Sequence, residues 1–541
     1  MDKTMGKTYL KNTSTFLATA ISMLKQEEYF RPAMKSLFCF LLLSVFCLLF
    51  SPIVFANNIK VSDVSLQNLD STAGTVDIKF DVSWDNSFTR TDSNGQAYFD
   101  RAWVFVKYQI GGTGAWYHAT LVSGGSLGSY STSTAIGITS DGKGAFCKAG
   151  PSQTLRWNFG TTGDNVSSSS SVQVKVMAIE MVYIPQGSFV LGSGGSEYAH
   201  FYAYPTTTDP YTVGSEDAIT VGTTAGNLYY DYYNAYSGDQ TGPIPAAFPK
   251  GYNGFYVMKY EVSQGQYRDF LNTLTYTQQA TRTANAPSSA AGTGALINPT
   301  TYRNGLKIKT SGVSSTTPAV YGCDLGGNGT YDESDDGEWI ACNYLSWADL
   351  MAYADWAGLR PMTELEFEKA SRGPARTGSP TANEYAWGNT TVDYFSDLSN
   401  AGTSSEAIGP TRPNANCNYS SASPDGPVRC GMFATSSSSR TTAGASYYGL
   451  MELSGNLWER CVTIGNATGR AFTGLHGNGT LDSSGNADVT NWPGTGATGS
   501  GFRGGSWNND ASLARVSDRY YAAYTYSGRY YSYGGRFART P

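Results

Sequence analysis

The sequence predicts an α+β protein in two parts: a small all-β sandwich of Ig-like type over residues 57–178, and a large irregular mixed domain over 179–541. Three observations carry that reading. Val76, Ile78, Phe80, Val82 and Trp84 alternate with polar residues, the period of a half-buried strand. Residues 346–372, SWADLMAYADWAGLRPMTELEFEKASR, hold the clearest helical pattern. Gly (62) and Tyr (38) are abundant in a chain that is 40% hydrophobic, which favours strands and loops over long helices. At 541 residues the chain also exceeds one ordinary core.

Along the chain, the first strong feature begins at Met34: MKSLFCFLLLSVFCLLFSPIVFANN reads as a signal peptide over 34–56, cleaved after Ala56. Residues 1–33 then belong to a mis-called upstream start. The competing reading is an uncleaved membrane anchor, because Leu37 to Phe55 nearly suffices to span a bilayer. Phe46 before Cys47 disfavours a lipoprotein. Export places the protein outside the cell or at its surface, with a membrane involved only through export or display. Six cysteines follow the cleavage site: Cys147, Cys323, Cys342, Cys417, Cys430 and Cys461. Disulfides are then permitted, Cys323–Cys342 and Cys417–Cys430 being closest in sequence; free buried thiols are the alternative.

In the first part, Trp103–Tyr108 and Val172, Val174 and Val176 add two strands to that of Val76–Trp84. In the second, Met181–Phe189 is a strand entering a turn, and a strand at Tyr256 runs into a helix capped by Ser263. Ser346 caps a helix ending at Gly358, and Thr363 with Glu366 forms a capping box for the next. The long Gly/Ser/Thr/Tyr insertions 192–250, 276–320 and 374–445 are expected to decorate the surface.

Composition excludes several functions. Charged residues are 15%, the net charge is −6, and the pI is near 5.3, which argues against a nucleic-acid partner. His118, His200 and His476 are the only histidines, so a multi-histidine metal site is excluded. There is no CxxC pair, HExxH motif, nucleotide loop or Ser/His/Asp arrangement. Asp324–Asp335 resembles a calcium loop, but Gly326 and Asp335 fit it poorly and a solvated acidic turn is the better reading.

MVYIPQGSF, FYVMKYEVSQGQYRDF, LSWADLMAYADWAGLRPMTELEFEKASRG, YAWGN, GLMELSGNLWER, FRGGSW and the terminal GGRFAR occur in an order that resembles the formylglycine-generating-enzyme (sulfatase-modifying factor) family. The resemblance implies a C-type-lectin-like fold of the sulfatase-modifying subtype. It also implies a structural calcium site at Asn456 and Glu459, and framework roles for Arg515, Arg519 and Arg536. The family's oxidase chemistry uses two copper-holding cysteines, at positions that fall here on Asn509 and Ala514. Neither residue forms a thiolate or binds a soft metal, so no catalytic residue and no cofactor beyond that calcium are expected.

Residues 508–535 read NNDASLARVSDRYYAAYTYSGRYYSYGG and contain no Lys, Glu, Gln, Met or Trp. Those residues are among the ones unreachable by mutating adenines of an asparagine codon. The segment resembles the variable region of diversity-generating-retroelement target proteins, known on this fold subtype. Asn508, Asn509, Asp510, Leu513, Asp518, Tyr520, Tyr521, Tyr524, Tyr526, Tyr530, Tyr531 and Tyr533 are the expected diversified, ligand-binding positions. Tyrosine gives a large amphipathic contact with few rotors to freeze, and Ser, Gly and Asn give adaptable hydrogen bonds. The expected function is therefore an exported, non-enzymatic binding protein for a protein or glycan ligand. A thiol-directed copper oxidase and a fixed envelope lectin are the alternatives. N-terminal sequencing of the exported product should find Asn57 first; a product retaining residues 1–33 would refute the signal-peptide assignment.

Overall fold

The computed structural model describes residues 58–112, 114–124, 137–375 and 380–541; the expected signal peptide and the segment before it lie outside the described residues. Among the described residues no helix is long and apolar enough to cross a membrane. Strands dominate, with a few short helices, as the composition suggested.

Strands β1 (Lys60–Asp70), β2 (Thr75–Ser83) and β3 (Ala97–Ile110) open the chain, followed by β4 (Leu121–Val122), β5 (Ala145–Cys147), β6 (Gly150–Asn158) and β7 (Val172–Ile184). One sheet has the order β1-β2-β6-β4. It packs across an apolar layer of Val76, Ile78, Phe80, Leu155 and Trp157 onto Ala102, Val104 and Val106 of β3. The expected strands at 76–84, 103–108 and 172–176 are all present.

The face of β3 opposite that layer is buried as well. Phe99, Trp103 and Phe105 belong to the main core, with Tyr256, Met258 and Trp356. Alternate residues of a strand point to opposite faces, so a strand covered on both sides becomes almost wholly apolar. β3 pairs with β7 from Val172↔Ile110 to Tyr183↔Phe99. β7 then continues into β8 (Phe255–Met258), from Met181↔Met258 to Ile184↔Phe255. The same sheet reaches β9 (Arg360–Pro361) and the terminal β13 (Phe537–Arg539). The expected boundary at 178/179 thus falls inside β7, and both parts share one sheet. The described residues form one compact unit.

The helices start where their caps predict. α1 (Gln264–Leu271), α2 (Tyr276–Arg282), α3 (Trp347–Trp356) and α4 (Glu364–Arg372) carry capping boxes, Ser263 with Gln266, Thr275 with Gln278, Ser346 with Asp349 and Thr363 with Glu366. α3 stops at Ala357 because Gly358 turns into the left-handed region, φ +68°. A separate three-stranded sheet with the order β11-β10-β12 joins β10 (Trp458–Val462), β11 (Ser500–Arg503) and β12 (Tyr533–Gly534).

One expectation is corrected, and the open question of the cysteines is settled in favour of free thiols among the described residues. The 192–250 insertion is not mere decoration, since Phe201, Leu228, Tyr230, Ile244 and Phe248 lie in the main core. These apolar anchors are isolated within polar sequence and show no period. All six described cysteines are buried free thiols, so Cys323–Cys342 and Cys417–Cys430 are not bonded. Cys417 donates to the Ser454 carbonyl at 3.3 Å and Cys430 to that of Glu261 at 3.5 Å. Because β3 and β7 serve both cores, scanning calorimetry should find one cooperative transition for residues 57–541 rather than two. Trp347 is fully buried, its indole N–H donating to the Pro493 carbonyl at 2.9 Å. Trp347→Ala should cost about 3–5 kcal/mol; a much smaller cost would place Trp347 outside the core.

Candidate ligand-binding surface

The segment expected to carry binding leaves β11 at Gly504-Gly505, both at positive φ (+87° and +70°). A side chain on Gly505 would meet the Ala514 backbone at 2.9 Å, so this close turn requires glycine. A short 3-10 turn follows at Ala511–Ala514, and the chain has no further regular structure until β12. Its backbone is nevertheless fixed. Phe502 N–H donates to the Tyr521 carbonyl at 3.0 Å, Tyr344 N–H to that of Tyr530 at 3.1 Å, and Trp458 N–H to that of Ser532 at 2.9 Å.

Helix α4 supplies the deeper anchorage. Glu364 takes a bidentate pair from Arg519 at 2.8 and 3.1 Å, and Arg503 at 3.1 Å. Glu368, one turn on, takes Arg503 at 2.6 Å and Arg372 at 2.8 Å. Arg372 also donates to Ser517 Oγ at 2.6 Å, and Arg503 to the Val516 carbonyl at 2.8 Å. Arg519 is sandwiched between Phe201 (4.0 Å) and Tyr230 (4.1 Å). Burial would raise the Glu364 and Glu368 carboxyls, but the arginines outweigh it and hold both below the ordinary range. Arg529 forms a fork onto Asp349 at 2.8 and 2.9 Å, and Arg536 bonds Glu459 at 2.7 Å. Arg519 and Arg536 are fully buried, while Arg515 is half-buried and reaches Asn383 at 3.3 Å.

Above this frame the tyrosines touch in sequence. Ring centroids are 4.6 Å apart for Tyr520–Tyr521, 5.4 Å for Tyr521–Tyr524, 6.1 Å for Tyr524–Tyr526, 6.5 Å for Tyr526–Tyr530 and 4.1 Å for Tyr530–Tyr531. Tyr526 and Tyr530 are 41% and 40% exposed; Tyr520, Tyr521, Tyr524 and Tyr531 are half-buried. Asn508 is exposed and donates to the Tyr531 hydroxyl at 3.0 Å, and Asp510 is exposed beside it. Asn509 is half-buried and accepts from Ser506 Oγ at 2.6 Å. Leu513 is half-buried against Trp458, Phe502 and Tyr533.

Two expected binding residues lie beneath the surface instead. Asp518 is 3% exposed, its carboxylate turned back to accept the Tyr520 N–H at 3.1 Å in a local turn. Tyr533 is 9% exposed because it starts β12, with its ring against Phe502 at 4.4 Å. Tyr198, Tyr233, Tyr236 and Tyr302 adjoin the run from outside the expected segment. The tyrosine richness of residues 192–250 was the only local signal for the first three, and Tyr302 had none.

A family model for the sulfatase-modifying factor enzyme 1-like domain matches residues 167–540. The chain belongs to this family. Among solved structures, Treponema denticola variable protein 1 is similar at 13% identity, over 68% of this chain and 96% of that chain, with a TM-score of 0.30. A comparison with curated proteins finds no match.

The family domain is C-type-lectin-like. At the positions where the resemblance puts the oxidase cysteines, Asn509 is held by Ser506 and Ala514 is buried beside Gly505. The expected calcium ligands are engaged elsewhere. Asn456 Oδ1 accepts from Val428 N–H at 2.9 Å and from Asn418 at 3.1 Å, while its amide donates to Glu261. Glu459 is paired with the Arg536 guanidinium, a cation that does not belong in a calcium shell. The other Glu459 oxygen, Oε2, is buried without a hydrogen-bond partner. Asp324 pairs with Lys307 at 3.1 Å and accepts Asn328 N–H at 3.0 Å, as a turn-closing acid does.

Burial, with Glu197 nearby, pushes the Asp518 carboxyl up to about 7 against the Tyr520 N–H and Arg503. Its contribution to stability is complete below the ordinary aspartate value and is lost as pH rises toward 7 and through it. Glu364 and Glu368, held low, contribute above the unfolded range and lose that contribution only in acid. Asp518→Asn keeps an acceptor for the Tyr520 N–H, so it should stabilise the chain at about pH 8 by roughly 1–3 kcal/mol. The gap should close near pH 4; thermal melts showing no difference at either pH would refute it. Glu364→Gln should cost about 3–5 kcal/mol, because it leaves two arginines buried and underpaired. Tyr526→Ser and Tyr530→Ser should each change stability by no more than about 0.5 kcal/mol. Tyr521 and Tyr531, being half-buried, should cost about 1 kcal/mol each.

Proposed function

We propose that this family member is an exported, non-enzymatic ligand-binding protein, whose tyrosine-rich face is diversified by a retroelement. One observation carries the reading. The run from Tyr520 to Tyr531 presents contiguous, partly exposed phenol rings on a backbone fixed from below by groups that are not themselves displayed. Preorganised backbone with interchangeable rings limits the entropy lost on binding. Asn509 and Ala514 at the family's thiol positions support a binding role over oxidase chemistry. The signal-peptide pattern at 34–56 supports export, so the face would meet its ligand outside the cell.

Sequencing this gene across many cells, with its neighbouring DNA, tests the proposal. Substitutions should concentrate at Asn508, Asn509, Asp510, Leu513, Tyr520, Tyr521, Tyr524, Tyr526, Tyr530 and Tyr531. A reverse-transcriptase gene and a near-copy of the 508–535 coding segment should lie nearby. Arg515, Val516, Ser517, Arg519, Arg529 and Arg536 should stay constant. Asp518 and Tyr533 have asparagine-reachable identities but buried settings, so they should vary less. An invariant segment with no nearby copy would favour a fixed lectin and overturn the proposal.

A further inference from the structure

The tyrosine run does not end where the diversified segment ends. At one end Tyr198 lies 5.3 Å from Tyr520 and 4.3 Å from Tyr233, and Tyr236 lies 4.5 Å from Tyr524. At the other, Tyr302 lies 4.8 Å from Tyr531 and 5.0 Å from Trp507. Tyr198, Tyr233, Tyr236 and Tyr302 are 36%, 49%, 38% and 38% exposed. They come from the 192–250 and 276–320 insertions, outside the segment expected to vary.

These flanks are tied to the segment through its backbone. Arg519 N–H donates to the Tyr198 carbonyl at 2.9 Å, and Ala523 N–H to that of Tyr236 at 2.8 Å. The fully buried Asn343 amide donates to the carbonyls of both Tyr302 (3.0 Å) and Tyr531 (3.1 Å). Main-chain acceptors persist whichever side chain stands at 520, 524 or 531, so the flanking rings keep their places as the centre changes.

We propose that these four tyrosines form a constant rim of the binding surface, and that the partner is a folded protein. This rests on the display reading above and deepens it. Three cavities of 170–330 Å³ among the described residues are lined by residues outside the tyrosine run, whereas small-molecule sites are concave. A glycan would need polar side chains free to bond its hydroxyls. Along this run Asn508 is bonded to Tyr531, Asp518 is buried and Arg529 is locked onto Asp349. Asp510, Thr525 and Ser527 are exposed beside them, but the contiguous element of the run is its chain of phenol rings, the aromatic composition that protein interfaces favour.

The test displays residues 57–541 with the tyrosines between 520 and 531 randomised over the residues that asparagine codons reach. The library is selected separately against ubiquitin and against cellohexaose. Ubiquitin binders should emerge, and Tyr236→Ser or Tyr302→Ser, introduced into them, should weaken binding by about tenfold or more with an unchanged melting temperature. Binding held within about twofold by both variants would refute the constant rim and leave the display reading standing. Enrichment on cellohexaose alone would overturn the protein partner. A folded library that yields binders to neither probe would overturn the display reading itself.

Discussion

Glu364 and Glu368 stand one turn apart on α4, and between them they hold three buried arginines beneath the tyrosine face. Arg503 arrives from β11, before the segment; Arg519 lies within it; Arg372 extends from the helix itself to Ser517. Ion pairs this deep bring little net stability over an apolar core, because desolvating the charges offsets their attraction. What they do impose is geometry. A forked guanidinium on a carboxylate tolerates little displacement, and removing any one partner leaves a buried charge. The segment has almost no regular secondary structure, so this network and a few backbone bonds define its path.

That division separates two roles within one stretch of chain. The residues that hold the path are Arg503, Val516 through its carbonyl, Ser517 and Arg519. Those that meet solvent are Asn508, Asp510, Tyr526 and Tyr530, with Tyr520, Tyr521, Tyr524 and Tyr531 half-exposed. Replacement in the second set changes chemistry at the surface while leaving the first set's bonds intact. Half-buried rings complicate this, because Tyr521 packs 5.5 Å from Trp458 and contributes to the layer over β10. Substitution at such a position is bounded by packing.

Much of the frame was legible in the sequence. Capping boxes at Ser263, Ser346 and Thr363 act over three residues and need no tertiary information, and each helix begins there. Alternation at Val76–Trp84 was equally local. The candidate surface was legible through composition, since no core segment mixes seven tyrosines with so few aliphatics. What the sequence hid depends on long-range partners. Asp518 reads as polar and displayable, but its turn folds it inward; Tyr533 reads like its neighbours, yet pairs with β10. Cys323 and Cys342 look like a disulfide by spacing, but each sits as a thiol in an apolar setting. The boundary placed at 178/179 lies within β7, which runs unbroken from Val172 to Ile184.

The burial of β3 on both faces explains why a sandwich and a lectin-like domain form one body. Its even-numbered residues complete the sandwich and its odd-numbered ones the main core, so neither could be removed without exposing the other's apolar surface. The shared sheet continues through β7, β8 and β13, and β13 is the chain's last strand. Arg539 on β13 packs 4.2 Å over Trp103 of β3, joining the end of the lectin-like part to the sandwich strand. Three residues upstream, Arg536 is bonded to Glu459 of β10, the strand under the tyrosines. The sandwich strand and the platform under the tyrosine run are therefore joined through the last strand by two buried arginines.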